Sequence, residues 1–99
     1  MKSIMQEDDS ICFICDERAN YQDGPLEEHH VFGGTANRSK SEKHGLKVKL
    51  HAFKCHRTGP GAVHNNKIAR LTLQAAGQRK FEETHSREEF RKEFGKSVL

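Results

Sequence analysis

The sequence predicts a small α+β domain: a two-stranded antiparallel hairpin, a helix after it, and an additional C-terminal helix. Three observations predict it. Leu46-Lys47-Val48-Lys49-Leu50 alternates strictly between apolar and polar, the signature of a half-buried strand. After the turn Arg57-Thr58-Gly59-Pro60-Gly61 the period changes, and Ile68, Leu71, Ala75 and Gln78, with Leu73 nearby, recur at helical spacing. Cysteines and histidines gather between residues 12 and 64, in a chain that is only 33% hydrophobic and has no Trp. At 99 residues such a thin core lies near the lower range for unaided folding, and a structural metal is a common staple.

The elements follow in order. Residues 1–10 are polar and read as a flexible end. Ile11-Cys12-Phe13-Ile14-Cys15 reads as a short strand or knuckle with its cysteines at turn spacing, and Asp23-Gly24-Pro25 as a turn. Glu28-His29-His30-Val31-Phe32 reads as a strand ended by Gly33-Gly34, and Thr35 to His44 as a basic loop. Gly33-Gly34 and Gly45 bracket the connection to the alternating strand, so the two strands pair antiparallel. Pro60 suits a helix start, and the helix is expected from Ala62, with His64 in its first turn. Gly77 either ends that helix or marks a close approach. Ser86-x-x-Glu89 is a capping-box pattern opening the last helix, with Phe90 and Phe94 at i,i+4 and Gly95 closing it. Phe81, Phe90 and Phe94 are expected in the core, His85 at a helix junction and His44 on a loop. Together these make one domain over 1–99, with a core over 12–66 and a helical part over 67–99.

Composition excludes several classes. No apolar run is long enough for a membrane-spanning helix, and the N-terminus lacks the apolar stretch of a signal peptide, so a cytoplasmic location is expected. Three cysteines, two of them in Cys12-x-x-Cys15, then point to metal before disulfide, and no βαβ pattern surrounds the pair to suggest a redox motif. Charge is segregated. Residues 1–30 hold eight acids and two basic residues, residues 31–80 hold eleven Lys/Arg and one acid, Glu42, and the rest is nearly balanced. A segment of about +10 around the histidines is the footprint expected for a phosphate backbone.

The run Glu28-His29-His30-Val31-Phe32-Gly33-Gly34, then Ser41-Glu42-Lys43, Gly45-Leu46, Cys55-His56 and Val63-His64, resembles the small phage-type HNH, or ββα-metal, endonucleases, and more loosely the recombination-enhancing HNH nucleases. The likeness covers residues 12 to about 66 strongly. It implies a DNA phosphodiesterase in which His29 is a metal ligand and His30 the general base, with His56 and His64 completing the catalytic metal shell. It also implies a structural zinc on Cys12, Cys15 and a second pair, here His51 and Cys55, one residue further apart than usual. The family's asparagine, which orients the base histidine, has no counterpart in His44-Gly45-Leu46-Lys47; a backbone carbonyl or Asn65 is left as the candidate.

The implied chemistry is attack by a water that His30 deprotonates, with one divalent ion stabilising charge on the phosphate. All-imidazole ligation suits Mn²⁺, Ni²⁺ or Zn²⁺ better than Mg²⁺. Arg38, Lys40, Lys43, Arg57, Lys67 and Arg70 are the expected phosphate contacts, on duplex or branched DNA with little sequence preference. Phage or recombination DNA-processing proteins are the implied partners. The competing expectation is a zinc-stabilised nucleic-acid-binding module whose HNH site no longer cuts.

Overall fold

A computed structural model describes all of residues 1–99. Strand β1 (Leu26–His30) pairs antiparallel with β2 (Lys47–His51), and between them lies helix α1 (Thr35–His44). A six-residue π-helical turn, Ala52–Arg57, follows β2 directly; then come α2 (Lys67–Phe81) and α3 (Arg87–Phe94). The α+β class and the antiparallel hairpin are as the sequence predicts.

The hairpin register sorts the site residues. Leu26 faces His51, Glu28 faces Lys49 and His30 faces Lys47 on one side of the sheet; Glu27 faces Leu50 and His29 faces Val48 on the other. Val31 and Phe32 leave β1 for the core instead of extending it. There Phe32, Phe90, Phe94 and Phe81 pack edge-on or tilted, with Phe32–Phe94 centroids at 4.8 Å and Phe32–Phe90 at 5.2 Å. Leu46, Val48, Leu50, Val63 and Leu73 complete this core beside Cys12 and Cys55.

Three further segments differ from the sequence reading. Thr35 to His44 is a helix, not a loop. Only Ser41 of it is buried, so it has no apolar stripe for periodicity to detect. It opens after Gly34 at φ 89° and closes on Gly45 at φ 70°, a left-handed cap, with Lys43 and His44 at its negative end. Ser41 earns its burial by bonding both backbone groups of Phe32, accepting from its N–H at 3.1 Å and donating to its carbonyl at 2.9 Å.

Helix α2 begins at Lys67, five residues later than expected. Residues 59–66 instead form turns, Pro60 lies in them, and the Asn66 side chain caps the helix by accepting from Ala69 N–H at 2.9 Å. His64 therefore sits before the helix. Ile68 and Leu71, expected as part of its apolar spacing, are 77% and 41% exposed; Leu73, Gly77, Gln78 and Phe81 face inward. Gly77 does not end the helix. A Cβ there would lie 2.9 Å from Val31 Cγ1, the close approach that the sequence left as the alternative.

The N-terminal segment is docked on β2: Ile4 N–H donates to Gly45 O, and Gln6 bridges Lys49 N–H and Ile11 O. The capping box at Ser86 and Glu89 forms as read, and Phe81, Phe90 and Phe94 are buried. His44, at the end of α1 and not on a loop, packs against Phe81 at 5.2 Å, while His85 stacks on Phe81 at the α2–α3 junction. No helix is long and apolar enough to cross a membrane.

Candidate metal centres

Two clusters of potential metal ligands lie side by side, joined by the π-helical turn. In the first, Cys12, Cys15, His51 and Cys55 bring their donor atoms within 4.8 Å of one another. The knuckle places Cys12 and Cys15, the end of β2 places His51, and the turn places Cys55. Cys12, His51 and Cys55 are buried. His51 donates Nε2–H to Arg18 O at 2.7 Å, so its Nδ1 carries the lone pair, 3.2 Å from Cys15 Sγ. The wider His51/Cys55 spacing is thus absorbed by the turn.

The thiols compete for ionisation. Burial drives the Cys55 thiol up to about 12, helped by the neighbouring Cys12 and Cys15. Cys15 is raised as well, first by burial. Burial also opposes ionisation of Cys12, but hydrogen bonds from the backbone at Cys15, His51 and Ile14 and from the Cys55 thiol outweigh it and bring it down to about 7. Three thiols and an imidazole nitrogen converging in the interior are a poor apolar core and a good tetrahedral donor set: this cluster could hold a metal ion such as zinc.

In the second cluster, His29 Nδ1 lies 3.2 Å from His56 Nε2, which lies 3.0 Å from His64 Nε2. Nitrogens held about 2.1 Å from one ion are about 3.0–3.4 Å apart, so the spacing fits common ligation. The tautomer fits too. His56 Nδ1 is 2.8 Å from Glu27 Oε1, and an ionised carboxylate only accepts, so Nδ1 carries the proton and Nε2 the lone pair. Arg57 also donates to Glu27, at 2.8 Å, and these bonds hold the Glu27 carboxyl below the usual carboxylate range. Burial and then the facing His56 and His64 bring His29 down to about 3, and burial also lowers His64. Backbone bonding sets the geometry: Val63 N–H donates to Cys55 O at 2.9 Å and His64 N–H to His56 O at 3.1 Å, so the segment before α2 lies along the turn.

His30, last in β1, points to the opposite face from His29 yet lines the same cleft of about 230 Å³, with Glu28, His29, Gly33, Gly34, Arg38, His56 and His64. Its Nε2 lies 3.1 Å from Glu42 Oε1. No backbone carbonyl bonds the His30 ring, and Asn65 is turned away, donating to Gly59 O at 3.3 Å. The sequence offers Glu42 only as part of the Ser41-Glu42-Lys43 run and gives it no role, because its contact with His30 spans twelve residues. Glu28, His30 and Glu42 also bring ligand atoms together, but Lys47 Nζ already sits 2.7 Å from Glu42 Oε2 and 3.6 Å from Glu28 Oε1.

The six basic residues expected at phosphates divide. Arg38, Lys43 and Lys67 are exposed, Arg38 in the cleft lining. Lys40 instead donates to Glu93 O at 2.7 Å, tying α1 to α3; Arg70 donates to Val63 O at 3.1 Å; Arg57 is paired with Glu27. The linear charge segregation is partly cancelled by folding, because Glu27 and Glu28 of the acidic segment meet Arg57, Lys47 and Lys49.

No protein-family model, curated protein or solved structure matches the chain.

Proposed function

We propose that the chain is a metal-dependent HNH-type endonuclease that hydrolyses DNA phosphodiester bonds, nicking with low sequence specificity, and that the Cys12/Cys15/His51/Cys55 set holds a structural zinc. The observation that carries this reading is the convergence of three imidazole nitrogens beside a fourth histidine in one cleft, with Arg38 on its rim. A divalent ion held by His29, His56 and His64, whether Mn²⁺, Ni²⁺, Zn²⁺ or Mg²⁺, supplies Lewis-acid stabilisation of charge on the phosphate and leaving oxygen.

The chain's own residues do the rest. Glu27 keeps His56 in the ligating tautomer. His30 accepts a proton from the attacking water. Arg38, with Lys43 and Lys67 further out, holds backbone phosphates, which positions the strand without reading sequence. One such site per chain reaches one strand at a time, so nicking precedes linearisation.

Supercoiled plasmid incubated with each of the four metals, with EDTA and His30→Ala as controls, tests the reading. Nicked circles should accumulate first, only with metal and not with the variant. DNA binding without cleavage under every metal would sink it in favour of a zinc-stabilised binding module. Binding should weaken steeply with salt, as phosphate contacts require.

A further inference from the structure

We propose that Glu42 positions His30, accepting its Nε2–H and leaving Nδ1 as the basic nitrogen at the cleft. The function of that nitrogen rests on the nuclease reading; the pairing itself rests on the hairpin and α1.

The carboxylate is held from three sides. Its Oε1 is 3.1 Å from His30 Nε2, and its Oε2 accepts from Lys47 Nζ at 2.7 Å and from the Met1 amino group at 3.0 Å. Lys47 is the residue directly opposite His30 in the hairpin, so one carboxylate ties together a cross-strand pair. Helix α1 makes this possible. Its left-handed cap at Gly45 turns the chain into β2 so that position 42, in the last turn, returns over the end of β1.

Bonds from Lys47 first, then His30 and the Met1 amine, bring Glu42 down to about 2. At neutral pH it only accepts, so the proton must reside on His30 Nε2. His30 Nδ1 has no hydrogen-bond partner in the chain, and the ring lines the cleft shared with His29, His56 and His64. Glu28 is a weaker candidate for the same work, its Oε1 being 3.8 Å from His30 Nε2. A cation on Glu28, His30 and Glu42 would have to displace the Lys47 ammonium. A carboxylate thus fills the orienting place for which the sequence offered no asparagine.

The test is the tautomer of His30, read from long-range proton–nitrogen spectra of the zinc-loaded, ¹⁵N-labelled chain at pH 8.5, with His30→Ala to assign the signals. Nε2–H with an unprotonated Nδ1 is expected in the wild type and in Glu42→Gln, whose side-chain carbonyl still accepts. A mixture of tautomers is expected in Glu42→Ala. In plasmid cleavage, Glu42→Ala should lower kcat about 10–100-fold with KM and zinc content unchanged, and Glu42→Gln should recover most of the rate.

An Nδ1–H tautomer in the wild type would overturn the proposal. So would equal damage in the Gln and Ala variants accompanied by loss of zinc, which would make Glu42 only a clamp of the fold. A shift of the His30 Nε2 signal to a metal-bound position would overturn it in favour of ligation. A wild type with the expected tautomer but no cleavage would refute the nuclease reading and support the pairing.

Discussion

Protons must leave the four-residue cluster when a metal enters it, and their number follows from the three thiols. Metal takes thiolate, not thiol. Near pH 7, Cys12, at about 7, is half ionised, whereas Cys15 and Cys55, both raised and Cys55 to about 12, are almost wholly protonated. Loading therefore releases about 2.5 protons: half of one from Cys12 and one each from the other two. By linkage the apparent affinity changes by the same power of proton concentration, about 300-fold per pH unit. The sign is fixed: as pH falls, more thiols must be stripped, and the metal binds more weakly. Co²⁺ is the useful probe, because only thiolate ligation gives it strong near-ultraviolet charge-transfer bands, so the imidazole site stays silent. Competition against a chelator at pH 6.5, 7.0 and 7.5 gives the slope, and calorimetry in buffers of different ionisation enthalpy gives the proton count. A slope below one, or charge-transfer bands that persist in Cys12→Ser at wild-type affinity, would refute the reasoning.

Three further outcomes are expected. Glu27→Gln should weaken metal binding at His29/His56/His64 by about 10–100-fold, measured by calorimetry with Mn²⁺ or Ni²⁺, because His56 Nδ1–H loses its carboxylate. Without metal in that site, burial holds the folded His29 well below its unfolded value of 6.5, so its contribution is present above about pH 6.5 and is lost progressively as pH falls toward about 3. Denaturant unfolding at pH 7.5 and 5.5 should show a loss of about 1 kcal/mol in the wild type beyond that in His29→Gln; equal losses would remove the assignment. Phe90→Ala should cost about 3–5 kcal/mol in the same assay, since Phe90 is fully buried among Phe32, Phe81 and Phe94; a cost under about 1 kcal/mol would mean that α3 does not close the core.

The parts legible in the sequence are those with local signals. Alternation over Leu46–Leu50 placed β2 within one residue, and Ser86 and Glu89 marked α3 because a capping box is contained in four residues. Cys12 and Cys15 announce themselves by spacing, and His51, the irregular ligand, does reach the cluster. Helix α1 was hidden because its one buried side chain is a serine working through hydrogen bonds to Phe32, so burial there has no hydrophobic period. Ile68 and Leu71 misled for the opposite reason: apolar residues at helical spacing say nothing of which stripe the tertiary structure covers. Glu42 was illegible because its role depends on a register, His30 opposite Lys47, that exists only after the hairpin closes. The basic segment overstated the free positive charge because its partners, Glu27 and Glu28, come from the neighbouring strand.

The π-helical turn carries a consequence for how this chain can vary. Its bonds span five residues, as from Thr58 N–H to Phe53 O at 3.1 Å, and it places the successive residues Cys55 and His56 in different clusters. A single-residue deletion between 52 and 57 would tighten the coil and swing both side chains together, disarming the two centres in one event. A backbone change at this turn therefore alters both clusters together, whereas a side-chain change at Cys55, at His56 or at an outer partner such as Glu27 can tune one alone.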